Sequence, residues 1–378
     1  MGGISIKTSV QSFYDFEQSK YKLYLHAGES GIRNTVSWIY LAEDIQNMNF
    51  LKGGELVITT GLFITGGTAL FDFIQALSMR DCSCVIINTG KYIQRTDITP
   101  EIIEFCDNNN LPLFTMPWEI HLIDIMQDYC RILLLDSQRE DSLSAAFQSA
   151  LYQSTIPDNI LRTLNQAGFL TTANYRIIVI RNLTNTTLIT SPLNHCDLKY
   201  HLFYFENLQI LFYQADEETL SLTELVRTLL YCDSIVLGVS DVMTSIMDIS
   251  SCYKKARFSL AVAELRKRTY MVFDELGIFQ LFFSTTDPDL LHRIVQRNLG
   301  ILQQYDLEHD TDYLNTLREY LLSDGNLVET ANKLYTHRNT VVYRVNKIKE
   351  LLGNDINHST NKFDLLMAYY VLEYFSIA

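Results

Sequence analysis

Between Asn326 and Leu352 the chain concentrates side chains suited to one kind of chemistry, hydrogen bonding and ion pairing with a polyanion. Arg338, Asn339 and Thr340 open a predicted helix, Tyr343, Arg344 and Lys347 follow within it, and His337 stands just before it. Guanidinium and ammonium groups donate to phosphate oxygens, while amides, hydroxyls and the arginine fork match the edges of bases in a major groove. Thr340, Arg344 and Lys347 recur at steps of four and three, which places them on one helix face with Tyr343 beside them. The segment has five cations (Lys333, Arg338, Arg344, Lys347, Lys349) against Glu329 and Glu350, a local charge of +3. The whole chain has 30 Lys and Arg against 44 Asp and Glu, a formal charge of −14. Such an acidic surface excludes general coating of a nucleic acid or an anionic membrane, so any contact with phosphates is local.

The elements that must position these groups are legible around them. Asn326 is suited to N-cap a short helix that packs through Leu327, Ala331 and Leu334. Tyr335 to His337 form a turn, and a second helix runs from Arg338 to Leu352 before Gly353, a fitting terminator. Val341, Val345, Ile348 and Leu352 give that helix one apolar stripe, with the Thr340, Arg344, Lys347 face rotated roughly 100° from it. Two helices across a tight turn make the DNA-reading helix-turn-helix. The same pattern also serves an all-α bundle whose outer lysines and arginines only keep it dissolved. A lone histidine such as His337 reads equally as a cap, a surface residue or a base reader.

The 378 residues exceed one core at about 150 residues per domain. With 47% hydrophobic and 20% charged residues the chain is globular. Residues 1–135 alternate apolar runs (Val36–Tyr40, Glu55–Gly61, Cys84–Asn88, Leu113–Pro117) with helices at about 69–80 and 100–109, which predicts an α/β domain with a mainly parallel sheet. A glycine-free helix follows from Trp118 to about Gln153, carrying Ile123, Met126, Cys130 and Leu133 at heptad spacing, a seam for either a dimer contact or a core. Residues 136–173 are read as connecting helices. Residues 174–285 read as α+β, with a hairpin turning at Glu206-Asn207, and residues 286–378 as all-α. The seven cysteines form no CxxC pair and read as reduced thiols. No signal peptide and no membrane span is expected, which predicts a cytoplasmic protein without membrane contact.

Catalytic signatures are missing. There is no GxxxxGK[ST] loop, although Thr59-Thr-Gly61 and Thr65-Gly-Gly67 resemble fragments of one, and Asp81, Asp124, Asp128 and the histidines form no HExxH or triad spacing. No metal, no cofactor and no enzyme activity is expected. Gly53-Gly54-Glu55 and Thr59-Thr60-Gly61 bracket a predicted strand, so Gly54, Glu55, Thr59 and Thr60 are candidates for holding a small ligand at a sheet rim. Tight-turn geometry explains the glycines equally well. Arg33 and Trp38 either line the same pocket or pack the domain.

Gly325-Asn-Leu327, the spacing of Ala331 and Leu334, His337-Arg-Asn-Thr340, Tyr343-Arg344 and Leu351-Leu-Gly353 together resemble the C-terminal helix-turn-helix of the purine-catabolism-regulator (PucR) family, itself similar to the Fis type. Ala27-Gly-Glu-Ser-Gly-Ile32, Val36-Ser-Trp38 and Leu51-Lys-Gly-Gly-Glu-Leu-Val-Ile-Thr-Thr-Gly61 resemble the family's N-terminal domain. The resemblance implies a ligand-sensing N-terminal domain, a middle domain similar to a degenerate diguanylate-cyclase fold, a DNA-binding C-terminus and a purine-, nitrogen- or carbon-catabolism theme. In the hairpin Tyr204-Phe-Glu-Asn-Leu208 the cyclase glycines and acidic pair are missing, which argues against cyclase activity. The expectation is a homodimer or higher homo-oligomer that binds double-stranded DNA at an inverted repeat through helix 338–352 and answers to a small-molecule metabolite effector. The alternative is a metabolite-binding scaffold whose C-terminal bundle docks a protein.

Overall fold

Strands β3 (Glu55–Thr59) and β4 (Cys84–Thr89) carry unbroken apolar runs, residues 56–58 and 84–87, because both of their faces are covered. They belong to a computed structural model that describes residues 8–44, 46–64, 69–230 and 235–377. Thr65-Gly-Gly67 and Cys232 lie outside the described residues. The described residues fall into two units, one comprising Met1–Ala150, Ile156–Leu170 and Asp197–Tyr200 and the other the remainder.

In the first unit, α1 (Val10–Tyr21) and β1 (Tyr24–Ala27) precede β2 (Trp38–Leu41) and β3. Then come α2 (Ala69–Ser78), β4, α3 (Pro100–Asn108), β5 (Leu113–Pro117), α4 (Leu122–Tyr152) and α5 (Asp158–Gln166). The sheet order is β1-β5-β4-β3-β2, with β2 to β5 parallel and β1 antiparallel to β5. Alternation along the strands divides the core: Leu56, Ile58, Cys84 and Ile86 meet Phe13 of α1 and Ile125 and Tyr129 of α4, while Val57, Val85 and Ile87 meet Phe73 and Leu77 of α2 and Cys106 of α3. Gly28 and Gly31 let the loop after β1 press on the chain entering β5. A Cβ on Gly28 would stand 2.1 Å from the Leu111 carbonyl oxygen, and one on Gly31 2.0 Å from that of Asn110.

The expected boundary at residue 135 falls inside α4, which runs unbroken for 31 residues. The seam lapses there because the helix changes what it buries, not because it ends. Met126, Cys130 and Leu133 lie partly buried against the same core as Ile125 and Tyr129, whereas Ile123 is exposed. Core packing therefore accounts for three of the four expected seam residues.

The second unit holds β6 (Tyr175–Arg181), α6 (Thr187–His195), β7 (Tyr200–Phe205), β8 (Leu208–Gln214), α7 (Leu222–Leu229), β9 (Val236–Val239), α8 (Ile249–Leu265), β10 (Tyr270–Val272) and α9 (Ile278–Ser284). Its sheet order is β10-β9-β6-β8-β7, with β6 antiparallel to β8 and β9. The β7–β8 connection turns at Glu206-Asn207, both left-handed (φ 47° and 63°), the conformation a two-residue hairpin turn requires. The remaining helices are α10 (Pro288–His309), α11 (Tyr313–Leu322), α12 (Leu327–Lys333), α13 (Arg338–Leu352) and α14 (Ser359–Phe375). The expected division near residue 285 separates elements that share one core. Phe258, Phe273, Phe279 and Phe282 pack with Leu291 and Val295 of α10 and Val371 of α14.

Among the described residues six cysteines are free thiols. Burial pushes Cys82 and Cys106 up to about 12, so neither is a thiolate near neutrality.

Candidate nucleic-acid interface

The two-helix unit is assembled by local caps on a shared core. Asn326 Oδ1 accepts from the backbone N–H groups of Val328 (3.0 Å) and Glu329 (3.2 Å), starting α12. The connecting turn passes through Tyr335, whose left-handed backbone (φ 51°) leaves its side chain 98% exposed. His337 is the N-cap of α13, its Nδ1 accepting from the Asn339 N–H at 3.2 Å. That settles one of the open readings of His337: its ring nitrogen is used to start the helix. Val341, Val345 and Ile348 are buried with Ala331, Leu317, Leu365 and Tyr369, and Gly353 ends α13 in the left-handed conformation.

The outward face differs from the expected one. Thr340 is exposed as expected, but Arg344 is partly buried and its Nη1 donates to Thr316 Oγ1 on α11 at 3.1 Å. Thr316 is itself fully buried and donates to the Asp312 carbonyl at 2.6 Å. Lys347 pairs with Glu350 at 2.7 Å, and that bond holds its ammonium above the ordinary lysine range. The reason is geometric. A face 100° from the core stripe is a flank, and α11 covers that flank of α13.

The side fully opposite the core carries Asn339, Tyr343 and Asn346, all exposed, at steps of four and three, with Arg338 and Thr340 at the helix start. None of these five side chains has a hydrogen bond or ion pair among the described residues. Asn346 carries no charge and so lies outside the cationic pattern of the sequence, although its spacing from Asn339 and Tyr343 places it on their face. Amide groups that donate and accept together, an exposed phenol ring 66% accessible and an unpaired guanidinium can meet base edges and phosphates.

The structure does not gather Arg33, Trp38, Gly54, Glu55, Thr59 and Thr60 into one site. Glu55 begins β3 and Thr59 ends it, about 13 Å apart at strand rise. The Glu55 carboxylate is buried and accepts from the N–H groups of Lys52 (2.7 Å) and Gly53 (3.0 Å). Gly54 donates to the Asp81 carbonyl at 2.8 Å. Thr59 Oγ1 accepts from Gly61 N–H (3.1 Å), and Thr60 gives both its N–H and its hydroxyl to Glu43, each at 2.8 Å. Arg33 is exposed in a loop and Trp38 is exposed on the edge strand β2. These residues close turns and expose a strand edge, so turn geometry accounts for them. Among the described residues there is no group of three metal-ligating side chains, and no helix is long and apolar enough to cross a membrane.

Helices α12 and α13, joined by a short turn and with one side of α13 exposed, have the arrangement of a helix-turn-helix. Residues 313–371 match the PucR C-terminal helix-turn-helix domain, and residues 17–133 match the purine catabolism regulatory protein-like (PucR) family. Over 142 residues it is 27% identical to the purine catabolism regulatory protein of Bacillus subtilis, covering 36% of this chain and 25% of that one. Over 140 residues it is 28% identical to the DNA-binding transcriptional activator AdeR of the same organism, and over 136 residues 24% identical to its proline-responsive transcriptional activator PutR. These matches cover 36% and 35% of this chain and 33% of each relative, so the chain matches about a quarter to a third of the length of these proteins. Among solved structures, a regulator of polyketide synthase expression from Bifidobacterium adolescentis aligns with 61% of this chain and 97% of its own, at 18% identity and a TM-score of 0.35.

Proposed function

We propose that the chain is a cytoplasmic transcription regulator that binds double-stranded DNA through α13 and answers to a small metabolite. The observation that carries this reading is the face of Arg338, Asn339, Thr340, Tyr343 and Asn346, which points away from the core and has no internal hydrogen bond or ion pair. Polar groups that have no partner inside the protein and lie on one side of a rigid helix are available to an external partner. The matched helix-turn-helix domain and the activator names of two relatives support DNA as that partner.

One reading helix contacts few bases. Two helices related by a two-fold axis, with half-sites about 34–36 Å apart or a multiple of that, read an inverted repeat, so the active species is a homodimer. The metabolite shifts the balance between DNA-competent and DNA-incompetent arrangements. The middle domain is a degenerate relative of the cyclase fold, and its hairpin turn has a structural role: there the Glu206 carboxylate is bonded by Arg257 and by the Tyr152 hydroxyl.

The test is a fluorescence-anisotropy titration of the full chain against the DNA upstream of its own gene and a random-site library, with unlabelled competitor at two salt concentrations. Competitor-resistant binding that weakens steeply with salt supports the reading. Failure to enrich any sequence from the library, with and without a metabolite extract, overturns it.

A further inference from the structure

A cleft opens between the first half of α10 and the middle of α14, away from the residues assigned to DNA. Its volume is about 630 Å³, within the range of small-molecule sites. Leu290, Ile294 and Met367 give it an apolar lining, Arg293 and Arg297 border it from α10, and Asp364 borders it from α14. Arg293 is paired with Asp287 at 3.2 Å, both side chains largely exposed. Arg297 and Asp364 make no hydrogen bond or ion pair with any described residue, although they carry opposite charge and border one cleft. Their charged atoms therefore stand farther apart than ion-pair reach, with apolar surface beside them.

An unpaired guanidinium, an unpaired carboxylate and an apolar lining are together complementary to a short molecule that carries both charges and an apolar body. A lone anion would gain from Arg297 and lose against Asp364, and a lone cation the reverse. We propose that the α10–α14 cleft binds a zwitterionic α-amino acid, its carboxylate on Arg297, its ammonium on Asp364 and its side chain against Leu290, Ile294 and Met367. The binding step stands independently of the DNA reading. Its consequence rests on that reading: α10 and α14 supply Leu299, Leu302, Leu365 and Tyr369 to the core that seats α13, so a ligand bridging the two helices stiffens the support of the DNA-facing helix.

The experiment is isothermal titration calorimetry of the full chain, without DNA, against the twenty common L-amino acids. L-leucine is accompanied by 4-methylpentanoate, which lacks the ammonium, and 3-methylbutylamine, which lacks the carboxylate. The expected result is saturable one-to-one binding of at least one apolar amino acid, weakened at least tenfold by Arg297→Gln and at least tenfold by Asp364→Asn. If L-leucine is among the binders, each of its single-charge analogues binds at least tenfold more weakly than it does. Neither residue has an internal partner, so both variants should retain the wild-type circular dichroism spectrum and melting temperature. Silence across the panel overturns the proposal. So does binding that ignores either substitution, or a single-charge analogue that binds as well as leucine. Anisotropy with enriched DNA is then repeated with the bound amino acid. A change in DNA affinity that Asp364→Asn abolishes supports the coupling, and unchanged affinity removes the coupling while leaving the site intact.

Discussion

The strand ends of the first unit and the helix pair of the last hundred residues both carry polar side chains, yet they treat them oppositely. At the ends of β3, Glu55, Thr59, Thr60 and the nearby Glu43 spend their hydrogen bonds on the loops at those strand ends. On α13, Arg338, Asn339, Thr340, Tyr343 and Asn346 have no internal bond to spend. Residue type marks neither group as functional. What separates them is whether the polar atoms are already bonded within the chain, because a group bonded inside the protein has little left to offer a ligand, whereas one bonded only by water can exchange that water for a partner.

The largest effect tests the free face. A bidentate amide contact to a base is worth about 1–3 kcal/mol of discrimination. Asn339→Ala combined with Asn346→Ala should therefore cost more than about thirtyfold in affinity for an enriched operator, with little loss on nonspecific DNA, in competition anisotropy. Arg344→Ala should lower the specific affinity by less than this pair does, because its guanidinium is directed to Thr316. The opposite ranking would restore the flank of Thr340, Arg344 and Lys347 as the reading face and break the comparison.

Next comes the satisfied end. Glu55→Ala leaves two backbone donors beside a buried carboxylate site without their acceptor, at a cost of about 1–3 kcal/mol. Differential scanning calorimetry should show the transition of the first unit lowered by several degrees, with operator affinity at 20 °C unchanged. A stable variant that has lost metabolite response would instead make Glu55 a ligand residue. Arg338→Gln should produce a smaller and different change, a loss of a few fold on every DNA sequence and a salt slope shallower by about one, as expected of a phosphate contact. A loss confined to one operator position would make Arg338 a base reader.

How far these outcomes could be foreseen depended on the reach of the partner. The limits of α13, its Gly353 terminator, the Asn326 cap and the hairpin turn at Glu206-Asn207 were readable because each is set by residues within a few positions. The parallel core strands were readable because burial on both faces writes a continuous apolar run. The Arg344 contact has no local signature, because its partner, Thr316, lies 28 residues away on another helix. The Glu43 contact is equally silent in the sequence, since Thr60 comes to it from 17 residues downstream. The antiparallel addition of β1 beyond β5 also has no local signature. Periodicity reports the face toward the core well and the two flanks poorly, since only the packing of neighbouring helices decides which flank stays open.

The smallest expected effect concerns a polar group that is satisfied but lies at a surface. Asp128 on α4 is bonded by the Lys20 ammonium and, at 2.6 Å, by the Tyr21 hydroxyl, tying α1 to α4. The bond from Lys20, and after it the bond from Tyr21, holds the carboxyl below its ordinary value of 3.8. A folded-state value below the unfolded one means that the contribution is present above about pH 4 and is lost as pH falls through the lower, folded value. Asp128→Asn removes the charge at every pH, so its melting temperature should lie slightly below that of the wild type near neutrality and converge with it in acid. Added salt should narrow the neutral gap, since an exposed pair is screened. A gap that persists unchanged once the carboxyl is protonated in acid would mean that packing or the Tyr21 bond, not the ionised carboxylate, holds α1 in place. The satisfied polar groups of the first unit would then be structural for reasons other than charge.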